Sequence, residues 1–280
     1  MTARLGPNSY GKSRVRMVKV SRDGARHTVR ELSVDVALEG DFEAIHCRGD
    51  NSKCLPTDTM KNTVYALGKD HPIKTIESFA VDLGEHFVSQ NPQVTAARVH
   101  VEEAAWDRVR FDGKDHPHCF MKGSGERSVC EGTVTQRGAS VASGLEDLVI
   151  LKSADSGFAG YIKDKYTTLP ETDDRICATS VSARWEYTDE ADWDAARAAV
   201  RGALIETFAG HKSRSVQETL FAMGEGALNA CAAVARIRLS LPNKHCLLVN
   251  LKPFGLDNRN EIFVPTDEPH GLIEATIVRQ

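Results

Sequence analysis

The feature that most restricts the fold is the order in which two hydrophobic periods alternate along the chain. Residues 31–38 place Leu32, Val34, Val36 and Leu38 at every second position, the pattern of a half-buried strand. Val15-Arg16-Met17 fits a strand before it, and Arg22-Asp23-Gly24 supplies turn chemistry between the two. The period then changes. Residues 60–69 suit a helix, and Ile76, Phe79, Ala80, Leu83 and Phe87 recur at the spacing of one helical face. Two-residue alternation returns over 97–101 and around 108–111.

The second half repeats that order. Residues 178–187 are strand-like, and Trp193, Ala196, Val200, Leu204 and Phe208 mark a helical face with Gly210 expected as its C-cap. Ser215-Val216-Gln217-Glu218 has the form of a capping box and opens a second amphipathic helix through Val216, Leu220, Met223, Ala227, Cys231 and Val234. Ile237, Leu239 and Leu241 then alternate with polar neighbours, Pro242-Asn243 is expected as a turn, and Leu247, Val249 and Leu251 alternate beyond it.

Each half thus runs strand, strand, helix, helix, strand, strand. The expected class is α+β, with antiparallel sheets carrying helices on one face. Open sheets of this kind leave edges to be covered, and closure into a barrel by oligomerisation is one solution. A chain of 280 residues fits two domains, and the Gly/Ser-rich stretch over 138–144 is the expected boundary, giving 1–138 and 139–280.

Composition excludes several functions. The net charge is −4 and no basic run is present, so neither nucleic acid nor an anionic membrane is expected as partner. No stretch approaches a membrane span or the apolar core of a signal peptide. The chain ends Ile277-Val278-Arg279-Gln280 rather than in a peroxisomal Ser-Lys-Leu address, and a cytoplasmic location is expected. The seven cysteines are widely spaced without a Cys-x-x-Cys, which disfavours a disulfide framework or structural zinc. Neither a Gly-x-Gly-x-x-Gly nor a P-loop is present. His116-Pro117-His118 is a His-x-His pair that a strand would place on one face, a partial zinc signature lacking a third ligand.

Five segments carry a resemblance. They are Tyr10-Gly11-Lys12; Thr57-Asp58-Thr59-Met60-Lys61-Asn62-Thr63-Val64-Tyr65; Leu151-Lys152-Ser153 with Ser156-Gly157-Phe158, Tyr161, Tyr166-Thr167-Thr168-Leu169 and Arg175; Ser215-Val216-Gln217; and Leu241-Pro242-Asn243-Lys244-His245. In order and spacing, from about residue 10 to residue 275, the chain resembles the urate oxidase (uricase) family. Ile150, Ala154 and Pro56 depart from the familiar pattern. Pro56 matters most, because it restrains the backbone ahead of Thr57.

The resemblance implies two tandem tunnelling-fold repeats per chain, a homotetramer with sites at subunit interfaces, and cofactor-free oxidation of urate by O2. Lys12, Thr57 and His245 would form a proton relay, and a lysine desolvated in a pocket can serve as a base. Arg175 and Gln217 would grip the purine edge, since a guanidinium fork and an amide match its paired acceptors and donors. Phe158 would stack on the ring, and the amides of Asp58 and Val216, at helix starts, would meet its polar atoms. Asn243 would hold O2 or the attacking water. Taken singly, these residues have plainer roles: ordinary caps at 57–58 and 215–217, a surface ion pair for Arg175, core packing for Phe158. Two other functions stay open, a zinc-dependent pterin or purine enzyme of the same architecture and a catalytically inactive urate-binding barrel.

Overall fold

The computed structural model describes residues 3–188 and 191–280. It divides into two compact units, Met1–Gly144 and Leu145–Gln280. The division falls within a strand, a little beyond the expected boundary after residue 138.

In the first unit β1 (Tyr10–Asp23) and β2 (Arg26–Gly40) form a hairpin, followed by a short α1 (Glu43–Arg48) and the longer α2 (Thr57–Asp70) and α3 (Ile76–Gln90). Strands β3 (Val94–Phe111) and β4 (Lys114–Thr135) complete an antiparallel sheet in the order β1-β2-β3-β4. Alternation decides which face meets the helices. Leu32, Val34, Val36 and Leu38 are all buried, and they form one core with Val99 and Val101 of β3, Met60 and Val64 of α2, and Phe79, Leu83 and Phe87 of α3. The intervening β2 residues stay half-exposed.

The second unit contains most of β5 (Gly138–Lys152), then β6 (Cys177–Tyr187), α4 (Trp193–Gly210), α5 (Val216–Ala230), β7 (Val234–Leu248), β8 (Phe263–Thr266) and β9 (Leu272–Val278). Its core repeats the logic, with Val181, Ala183 and Trp185 of β6 and Ile237, Leu239 and Leu241 of β7 against Val200, Leu204 and Phe208 of α4 and Leu220, Met223 and Ala227 of α5. Each unit is α+β, as the alternating periods imply.

Residues 138–144 belong to strand β5, and β4 is a long strand that alternation alone does not mark. Local expectations change at the end of α4 and along β7. Gly210 is the last helical residue of α4, which is capped by an extended His211, not by a left-handed glycine. The Pro242-Asn243 turn is absent. β7 runs through it, with Asn243 opposite Thr179 and Pro242 opposite Leu272. Pro242 has no N–H to give, so the β6–β7 ladder skips from Thr179↔Asn243 to Ser182↔Ser240 without losing register. All seven cysteines are free thiols, and among the described residues no helix is long and apolar enough to cross a membrane.

Candidate active site

In the first unit the site is built by the start of β1 and the start of α2. The Tyr10 ring lies edge-on to buried Phe42, with centroids 4.7 Å apart, and its hydroxyl accepts the Leu55 N–H at 2.8 Å. Burial pushes the Tyr10 phenol up to about 12, so it remains a neutral tether between β1 and the loop that leads into α2. Gly11 follows because β1 and β2 approach too closely for any side chain: a Cβ there would sit 1.7 Å from the Val36 carbonyl oxygen. Lys12, half-buried, pairs with Val36.

Helix α2 starts without a side-chain cap, whereas Thr75, Asp192 and Ser215 cap α3, α4 and α5. Pro56 occupies the N-cap with φ −57° and ψ 138°, and its carbonyl accepts the Met60 N–H at 3.1 Å. Proline thus fits this position and keeps the first helical bond. The Thr57, Asp58 and Thr59 amides, being in the first turn, have no intrahelical acceptor and face an anion-favouring partial charge. The Lys61 ammonium, hydrogen-bonded to Asp58, holds that carboxyl below the ordinary carboxylate range, and the charge of Lys12 lowers it further. Lys12 thus lies near enough to the start of α2 for its charge to act on Asp58.

The second unit gathers another set. The Gly157 N–H donates to the Ser213 carbonyl at 2.8 Å and the Ser213 N–H to that of Asp155 at 2.9 Å, pinning the 155–158 loop to the segment that leads into α5. Phe158 exchanges two backbone hydrogen bonds with Thr172, at 2.7 and 3.1 Å, and the Arg175 guanidinium carbon sits 5.5 Å from the Phe158 ring centroid. Tyr161 stacks on the same ring, with centroids 4.7 Å apart and planes 13° from parallel. Phe158 is half-buried and outside the core cluster. Arg175 faces this ring and forms no ion pair among the described residues.

Ser215 accepts the Glu218 N–H at 3.1 Å as the N-cap of α5. Glu218 does not close the box onto Ser215. It takes the Arg214 backbone N–H and pairs with the Arg214 guanidinium, which hold its carboxyl down at about 2. Val216 is buried and Gln217 exposed in the first turn. Asn243 donates its backbone N–H to the Gly271 carbonyl at 2.8 Å, and His245 lies two residues along β7 opposite Thr266.

Comparisons with known proteins agree with one another. The sequence profile described as Uricase matches residues 8–133 and 141–274. The uricase of Arthrobacter globiformis is 46% identical over 277 residues, covering 99% of this chain and 90% of that protein. The chain belongs to the uricase family. Rabbit (Oryctolagus cuniculus) uricase is 38% identical over 279 residues, covering 97% of this chain and 93% of its own. The Arthrobacter uricase crystal structure superposes with a TM-score of 0.95 at 45% identity, covering 100% of this chain and 96% of that one. A uricase structure from Bacillus fastidious, at 23% identity and a TM-score of 0.83, shares the fold. The fold class is accordingly the tandem tunnelling fold of uricases.

Against that family background, sequence reasoning missed two features. Tyr161 belongs to the matched signature, yet nothing in the sequence revealed that it backs Phe158. A β-bulge directly after Lys12 left no mark in the hydrophobic pattern either. His116 and His118 do come together, with ring centroids 4.7 Å apart, and His27 lies 5.6 Å from His118. The Arg108 guanidinium fills the space beside them, bound to the His27, His116 and Pro117 carbonyls at 2.6 to 2.9 Å. Among the described residues, no three His, Cys, Asp or Glu side chains are arranged to hold a metal ion.

Proposed function

We propose that this chain oxidises urate with O2 and water to 5-hydroxyisourate and hydrogen peroxide, as its family membership indicates, and that it does so without a resident cofactor. Deprotonated urate is electron-rich enough to pass electrons to O2 itself. The protein then has to remove a proton, hold the planar anion and position the oxygen species.

The residues divide that work. Thr57 accepts a urate proton while its own hydroxyl proton moves to Lys12, and His245 carries it onward. The Asp58 and Val216 amides bind ring heteroatoms at two helix starts. Arg175 and Gln217 grip the opposite edge, Phe158 sets the ring plane, and Asn243 holds O2 or the attacking water. Lys12 and Thr57 would come from one subunit and Phe158, Arg175 and Gln217 from its neighbour in a homotetramer. The observation that carries this reading is Lys12 set beside the uncapped start of α2, where an anion and a base are both wanted.

The test is loss of urate absorbance with equimolar O2 uptake by chelator-treated protein. Lys12→Ala and Thr57→Ala should each slow turnover by about 10²–10⁴-fold, the usual worth of acid–base catalysis, while weakening ligand binding far less. Full rate in both variants overturns the relay, and a rate that returns only with added metal overturns cofactor independence.

A further inference from the structure

We propose that Asp35 is a positioning residue for the Lys12 base, acting through a single-residue bulge in β1. The inference rests on the proposed role of Lys12. Register is Lys12↔Val36 on one side and Val15↔Val34 on the other, so Ser13 and Arg14 together stand against Asp35 alone.

That extra residue decides where Lys12 points. In a regular strand side chains alternate, and residues 10 and 12 would share a face while 15 and 17 took the other. Here Tyr10, Val15 and Met17 all pack on the helix-bearing core. The bulge restores parity, so Lys12 lies on the side of Tyr10, Val15 and Met17 and next to the start of α2. Without it, either Lys12 or the Val15–Met17 pair would have to face away.

The bulge is held against a conformational preference. Arg14 adopts φ +57°, a left-handed region that disfavours residues with a side chain. Such a conformation persists only where its surroundings over-determine it. The Asp35 carboxylate meets that need by accepting the Arg14 backbone N–H, the donor that the bulge displaces from the ladder. On its other side Asp35 lies opposite His100 of β3, which anchors the acceptor in the middle of the sheet.

Removing the acceptor should loosen the aim of Lys12 without touching the purine grip on the other unit. We expect Asp35→Ala to lower kcat by about 10²-fold, the effect of a misplacement near 1 Å, with KM close to that of the parent and a melting temperature lowered by several degrees through the lost Arg14 acceptor. Asp35→Asn retains an oxygen acceptor and should recover most of the rate. An Asp35→Ala enzyme at parental kcat beside an inactive Lys12→Ala enzyme overturns the positioning role and leaves the relay standing. Lys12→Ala at full rate overturns both. A fall in kcat that Asp35→Asn fails to rescue, or one matched by an equal rise in KM, also refutes the proposal.

Discussion

Replacing Gly11 by Ala tests the close approach on which the proposed Lys12 base depends. The added methyl would lie 1.7 Å from the Val36 oxygen, 2.7 Å from its carbonyl carbon and 2.9 Å from the Ala37 Cα. All three are backbone atoms, so no side-chain rotation relieves the clash. To regain contact near 3.5 Å, β1 must withdraw from β2 by roughly 2 Å. The pairings Tyr10↔Leu38, Gly11↔Ala37 and Lys12↔Val36 lie within that opening. Loss of one or two ladder bonds at about 1 kcal/mol each, with overpacking of about 1–3 kcal/mol, gives a destabilisation of about 2–5 kcal/mol. At about 2–4 °C per kcal/mol for a domain of this size, the melting temperature should fall by roughly 5–20 °C. Turnover should fall further than stability alone implies, because Lys12 moves with the strand and about 1 Å of error costs on the order of 10²-fold. Scanning calorimetry and urate absorbance on the same preparation measure both. Gly6→Ala, where an added Cβ meets nothing within 4 Å, is the control. A Gly11→Ala enzyme that melts and turns over like its parent refutes the reasoning.

Two further outcomes follow from the second unit. Tyr161→Ala removes the support behind Phe158; an aromatic pair is worth about 0.5–1.5 kcal/mol, so KM for urate should rise by about 2- to 10-fold with kcat nearly unchanged, and an unaltered KM would show that Phe158 holds its plane unaided. Glu218 is depressed from the ordinary 4.5 to about 2, first by its hydrogen bond to the Arg214 guanidinium. Its folded-state value lies below the unfolded one, so its contribution to stability is complete above the ordinary range and is lost as pH falls toward 2. Melting curves of the parent should therefore decline more steeply over that acid window than those of Glu218→Gln, and parallel curves would contradict the assignment.

Much of the architecture was legible because burial imposes a period. Leu32, Val34, Val36 and Leu38 can share a core only on a strand, and Ile76 to Phe87 only on a helix. What escaped notice lacks that imprint. β4 and β5 are polar and glycine-bearing along much of their length, with long half-exposed stretches, so no alternation announces them. The two-residue Asp112-Gly113 turn was the available signal, since both residues take left-handed φ values of 50° and 72° and close Phe111 onto Lys114. Pro242 suggested a turn because proline cannot donate, yet β7 accommodates it by omitting two ladder positions opposite β6. The candidate site residues came from resemblance, and the local reasons for their placement came from three dimensions: the Tyr10 tether, the Gly11 approach, and a bulge whose Arg14 conformation has no sequence signature.

The bare start of α2 has a consequence for the resting enzyme. Helices α3, α4 and α5 carry their own acceptor at the first turn, but this one leaves three amides waiting. On the proposed reading the purine anion completes that turn, so the substrate is also a folding partner of the element that holds it. Fraying should begin at Thr57 when the pocket is empty, and an inert urate analogue should slow amide exchange there before it alters any other part of the chain.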